Sequence, residues 1–396
     1  MPTTYNGADD YRCFLLDAEF PEEAYVISTH LRPGVTALAH HALLYVVPET
    51  GAAELTAMEA QDEIAGYECF GGPGGGGLTT LGGWAPGGTQ SRTPEDSAMV
   101  VPAGSRLVLQ MHYNTLSFAA GEEIPSDVSH ARVWVQKEKP TYRVESLPMA
   151  HLTMEIEAGN EASVEERVFE MPTDGIIIGN APHMHVLGQS ISARYEDQDG
   201  QEQCMVDIPN WNFHWQGGYG FPKDGWIDAK KGDKIHLTCT YDNSPAAQQI
   251  VNGEKLMPRD VYWGEGTLDE MCLNYIAVLT PFDAPDYRCG AYSPCMESCA
   301  EGDGNCFFGC ATVGGGQCAA CVIEQFVACG SQFCVDEGGI DLYLCMEECE
   351  LDSAACLNHA CNDEFNAFYA CTEQHVRAGE CEAGYASCGI DASAVL

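Results

Sequence analysis

The chain has 396 residues, 45 % of them hydrophobic, and carries 59 Asp+Glu against 18 Lys+Arg, a formal net charge of −41. That length supports two or three domains, and the charge excludes partners that present a dense negative surface, nucleic acids and anionic membranes among them. No run of eighteen apolar residues crosses a bilayer. Twenty-one cysteines point to an oxidising compartment, so we expect a secreted or periplasmic protein. The first twenty residues lack a basic segment followed by an apolar one, and a trimmed leader is the expected explanation.

In chain order, short runs rich in β-branched and aromatic residues come first: ALLYVV (42–47), RLVLQMHY (106–113), ARVWVQ (131–136), GIIIGN (175–180), KIHLTCTY (234–241) and CLNYIAVL (272–279). Gly, Pro, Asn and Asp separate them, as they separate sandwich strands. In KIHLTCTY the apolar set Ile235, Leu237, Cys239, Tyr241 alternates with polar neighbours, one face inward. The expected fold is mainly β: two antiparallel sandwich domains, 1–145 and 146–285, followed by a small disulfide-rich helical domain, 286–396. The first break is placed in QKEKPTYRVESLP (136–148), the most polar stretch between strand clusters. GGPGGGG (71–77) has no Lys-Ser/Thr ending and reads as a surface loop rather than a phosphate loop.

The tail differs in kind. After residue 289 it holds 17 acidic residues and Arg377 as its one basic side chain. The CxxxC pairs Cys295/Cys299, Cys306/Cys310 and Cys345/Cys349 place both sulfurs on one helix face. Short helices stapled by disulfides are expected, serving as a scaffold or an interaction module for a protein or surface partner. Cys318/Cys321 is a CxxC, but no second pair completes a zinc site.

Three histidine groups carry the chemistry: His40–His41, His112, and His183 with His185. Residues i and i+2 of a strand share a face, so the HxH pair directs two imidazoles at one point. Adjacent His40 and His41 point to opposite faces of a regular strand. They meet on one ion only if the strand twists or ends there. Met271 brings a thioether. His30, His130, His151, His236, His359 and His375 have no companion at ligand spacing and read as structural. His214, in NWNFHWQGGY, reads as an aromatic-packed histidine with a cleft-lining role in reserve.

Taken together, YRCF (11–14), HHALLY (40–45), QMHYNT (110–115), HMHVLG (183–188), CTYDNS (239–244) and DEMCLNY (269–275) occur in an order and spacing that resembles the copper type II, ascorbate-dependent monooxygenases. The resemblance covers about residues 10–285 and leaves the tail without a counterpart. It implies two coppers facing each other across a solvent-filled cleft. His40, His41 and His112 would hold the electron-storing ion, and His183, His185 and Met271 the oxygen-activating one. The thioether independently argues for copper over zinc, because soft sulfur favours Cu(I). The implied activity is hydroxylation of an activated C–H of a small organic substrate, with O2 and two electrons from ascorbate. The alternative is a non-catalytic extracellular copper carrier. The family also pairs cysteines equivalent to Cys239 and Cys272, a bridge that would fix where Met271 points. Cys13, Cys69 and Cys204 are left without an assigned pairing. Tyr275 is expected at the substrate. The arginine by which the peptidylglycine branch grips a carboxylate is replaced by Ala181, which leaves the substrate open.

Overall fold

The computed structural model describes residues 9–282 except for short stretches (48, 62–63, 70–71, 75–78, 116–117, 119–123, 172, 252–253 and 265), isolated positions between 326 and 345, and 361–381 without 379. The described chain is mainly β, as expected. One five-stranded sheet has the order Tyr67–Glu68, Asp9–Glu19, Arg106–Asn114, Ala39–Val47, Thr79–Trp84. A four-stranded sheet orders Ser163–Glu170, Lys234–Tyr241, Gly188–Glu196, Glu202–Ile208. A nine-stranded sheet draws its strands from both halves of the chain. Gly175–His183, Leu273–Pro281 and Tyr142–Ala150 form one part of it, and Ser97–Val101 and Ala24–Arg32 the other.

The seam between the halves is a short parallel pairing, Tyr142 with Ser97 and Arg143 with Ala98. The polar stretch read as a break therefore leads into a strand that continues the sheet. Phe282, at the end of the last strand, packs edge-on against Tyr25, ring centroids 5.5 Å apart, and its backbone N–H donates to Thr141 O at 2.8 Å. Each half has its own core. Val26, Leu44, Val101, Leu109 and Met111 centre the first; Ile177, Ile191, Leu237, Cys239 and Ile276 centre the second.

Alternation explains most strands. Lys234–Tyr241 buries Ile235, Leu237, Cys239 and Tyr241 and leaves their neighbours partly exposed, as its sequence dictates. Arg106–Asn114 departs from this. Leu107 through Tyr113 are all buried, because the strand is central in its sheet and has apolar clusters on both faces. Disulfides join Cys13 to Cys69 and Cys239 to Cys272, and Cys204 is free and exposed.

In the tail, a helix Asn362–Arg377 packs Phe365, Phe368 and Tyr369 inward. Cys329–Cys381, Cys334–Cys371 and Cys345–Cys361 staple it to neighbouring segments. Cys345 bonds to Cys361, 16 residues on, at the start of that helix. The pairs 295/299, 306/310 and 318/321, and much of the Gly-rich loop, lie outside the described residues. Among the described residues no helix is long and apolar enough to cross a membrane.

Candidate metal centre

His40, His41 and His112 converge. Ala39–Val47 pairs with Arg106–Asn114 so that Ala39 faces Tyr113 and His41 faces His112, which leaves His40 as one extra residue in a β-bulge. The bulge resolves the objection raised by a regular strand: it turns His40 onto the same side as His41. The Nδ1 atoms of His40 and His112 lie 3.3 and 3.4 Å from Nδ1 of His41. One lone pair cannot satisfy two such neighbours, whereas a central cation satisfies all three. A four-coordinate ion about 2.0 Å from each nitrogen requires N···N spacings of about 3.3 Å, so the donor set fits a transition metal. Nε2 of His40 is buried and makes no hydrogen bond. Tyr11 stacks on His112 with centroids 4.0 Å apart and backs the cluster. Burial, followed by the neighbouring imidazoles, holds His40 and His41 well below the ordinary histidine range, so they are neutral and have lone pairs to give.

His183 and His185 come together at the end of Gly175–His183, ring centroids 5.0 Å apart. His183 Nδ1–H donates to Gln216 Oε1 at 2.5 Å, and Gln216 Nε2 in turn donates to Phe213 O at 2.8 Å, which orients the amide. His185 Nδ1–H donates to Asp269 O at 3.0 Å, and a carbonyl can only accept. Both rings are therefore held as Nδ1–H tautomers and offer Nε2, the opposite nitrogen to that used in the first cluster. Burial lowers His183 to about 4 and His185 well below its usual range.

Met271 is buried just before Leu273–Pro281. The ladder ends with His183 opposite Leu273, so Met271 lies two residues before the last paired position of its strand. Tyr241 donates its hydroxyl to Met271 O at 2.9 Å, and the Cys239–Cys272 disulfide fixes the next residue. Tyr275 is about one-third exposed and faces Ala181 across the ladder.

Three residues here escaped the sequence reading. Glu270 is fully buried, and its carboxylate accepts the backbone N–H of His185 at 2.8 Å and of Leu187 at 2.6 Å, which clamps the HxH loop to the Met271 segment. Burial pushes its carboxyl up to about 8 against these backbone donors. Gln216 sets the His183 tautomer. Phe213 is stacked on His40 at 4.2 Å and stands edge-on to His185 at 5.9 Å. The Phe213 ring thus touches one histidine of each cluster. Its neighbour His214 is exposed, and the buried aromatic of that segment is Phe213. The signal for Glu270 was its place in DEMC directly before Met271. Phe213 and Gln216 lay in the NWNFHWQ segment already singled out.

Residues 154–298 match the family model described as copper type II ascorbate-dependent monooxygenase, C-terminal domain. No curated protein sequence is matched. Among solved structures, the chain aligns with the infectious bursal disease virus Gx strain (10 % identity, 72 % of this chain and 70 % of that one, TM-score 0.20). It also aligns with the VP2 subviral particle of that virus (10 % identity, 72 % and 71 %, TM-score 0.20). Scores this low carry no argument about fold or function.

Proposed function

We propose that this chain, whose residues 154–298 carry a copper type II ascorbate-dependent monooxygenase C-terminal domain, hydroxylates an activated C–H of a small organic substrate with O2 and ascorbate-derived electrons. The observation that carries the reading is the pair of histidine clusters with opposite donor nitrogens. One is an all-imidazole set; the other is a pair of imidazoles offering Nε2, tied through Glu270 to the segment that carries the buried Met271. His40, His41 and His112 would hold one copper, and His183, His185 and Met271 the other. Copper would supply one-electron redox chemistry at both sites and dioxygen activation at the sulfur-bearing one.

The chain's own residues supply orientation. Gln216 and the Asp269 carbonyl keep the protons of His183 and His185 on Nδ1. Glu270 ties the histidine loop to the methionine segment. Phe213, in contact with His40 and His185, would limit water between the clusters. Tyr275 would line the substrate side, beside Ala181, where no guanidinium clamps a carboxylate; this favours substrates without a C-terminal carboxylate anchor. The halves divide near residue 145 in this reading, each with one ion, and the tail from 286 is an interaction module. The five disulfides among the described residues support secretion or residence in an oxidising lumen.

The test is ascorbate-fuelled oxygen uptake by the copper-loaded chain over a panel of phenethylamines and peptides, together with metal analysis. Two coppers per chain with substrate-dependent uptake and an oxygen-atom mass gain is the expected result. A single copper, or two with no uptake on any substrate, identifies a copper carrier and overturns the proposal.

A further inference from the structure

Four basic side chains, among them His30 and His130, which the sequence reading took as structural, meet on one face of two paired strands. His30 and Arg32 lie two apart on Ala24–Arg32, and His130 and Arg132 two apart on His130–Gln136. The antiparallel register sets His30 opposite Arg132 and Arg32 opposite His130. Together with Pro33 and Val128 they line a pocket of about 360 Å³. The two guanidinium groups are diagonal neighbours across the paired strands, each opposite an imidazole. In a chain with 59 acidic and 18 basic residues, an acid beside each would be the default arrangement.

No such neutralisation occurs: among the described residues none of the four forms an ion pair. Asp127, next to Val128, is occupied elsewhere. Its Oδ1 accepts the Val35 N–H at 2.6 Å, and its Oδ2 accepts the hydroxyls of Tyr113 at 3.0 Å and Ser129 at 2.5 Å. The opposite face of the same strands is anchored, with Leu31 buried and Ala131 and Val133 packed on the first core. The basic groups therefore project from a fixed framework.

We propose that this pocket binds a small organic oxoanion carrying at least two negative charges, an organic phosphate or a polycarboxylate. Two guanidinium groups supply planar forks that match carboxylate or phosphate oxygens, and the imidazoles add N–H donors between them. The volume lies at the small end of ordinary ligand sites, larger than an inorganic anion needs.

Calorimetric titration of the full-length, metal-free chain with inorganic phosphate, and separately with succinate, tests this near physiological ionic strength, with chloride at matched ionic strength as the control. Saturable one-site binding is expected for at least one of the two, and Arg32→Gln and Arg132→Gln each weaken it tenfold or more. Each variant, measured without anion, melts at the same temperature as the parent or above it, because one of two diagonal like charges has been removed. Binding that fails to saturate below roughly 10 mM, or that both variants retain, overturns the proposal. So does a variant that loses binding only because it melts early. Because the metal-free chain is used, failure here leaves the oxygenase reading untouched.

Discussion

Replacing Glu270 tests how the second cluster is built. Its carboxylate is fully buried and accepts two backbone N–H groups, from His185 at 2.8 Å and Leu187 at 2.6 Å. A backbone hydrogen bond to a carboxyl contributes about 0.5–1.5 kcal/mol when the acceptor is neutral and about 1.5–3 when it is charged, and an orphaned buried donor costs about 1–3 kcal/mol. Glu270→Gln keeps the shape but turns one acceptor into an NH2 that faces a backbone N–H, so we expect a loss of about 2–4 kcal/mol. Because the clamp joins the histidine loop to the Met271 segment, the change also loosens the placement of His183 and His185 relative to that segment. Copper affinity there should drop about 10–100-fold, the usual effect of removing a ligand-orienting partner. The His40/His41/His112 cluster has no hydrogen bond to Glu270 and should keep its ion. Equilibrium dialysis against a graded chelator reads the two affinities, and denaturant melts read the stability. A variant that binds both coppers as tightly as the parent and melts unchanged refutes the clamp.

The remaining predictions concern neighbouring groups. Met271→Ala should abolish substrate-dependent oxygen uptake while leaving one copper bound; unchanged turnover removes the thioether from the ligand set. Phe213→Ala deletes a buried ring stacked on His40. It should cost about 3–5 kcal/mol and admit water between the clusters, so that oxygen consumed per product rises while both ions stay bound. Product coupling equal to the parent's would show that the ring does not shield the chemistry. The metal-free chain should lose stability on acidification. His183 is lowered to about 4, so between pH 6.5 and 4 the unfolded chain binds a proton that the folded one refuses. The contribution is complete above pH 6.5 and falls as pH drops, by about 2 kcal/mol at pH 5 for this residue. His40, His41 and His185 act in the same direction. Glu270, raised to about 8, acts in the opposite one, a single carboxyl set against four imidazoles. Denaturant melts at pH 7 and pH 5 measure the difference, and equal stability at the two refutes the neutral-histidine account.

Much of this was legible in the residues themselves. Period-two alternation in Lys234–Tyr241 marked the strand and its buried face, since side chains of an extended chain can only alternate. His183 and His185 were readable as a pair from their spacing, and their rings do lie 5.0 Å apart, while the thioether of Met271 raised the expectation of a soft metal. Position in three dimensions decided the rest. Whether His40 and His41 share a point depended on a bulge that exists only through pairing with the strand of His112. The tautomers of His183 and His185 depend on Gln216 and the Asp269 carbonyl, which lie 33 and 84 residues away in the chain. Cys13 could be matched to Cys69 only once the strands Asp9–Glu19 and Tyr67–Glu68 were seen side by side. The four basic groups around Arg32 and Arg132 gave no local signal, because a pocket formed across two strands has no spacing along one of them. Sequence sets what each side chain can donate, accept or ligate; the long-range pairing of strands sets which of them meet, and that is fixed by burial and register summed over the whole sheet.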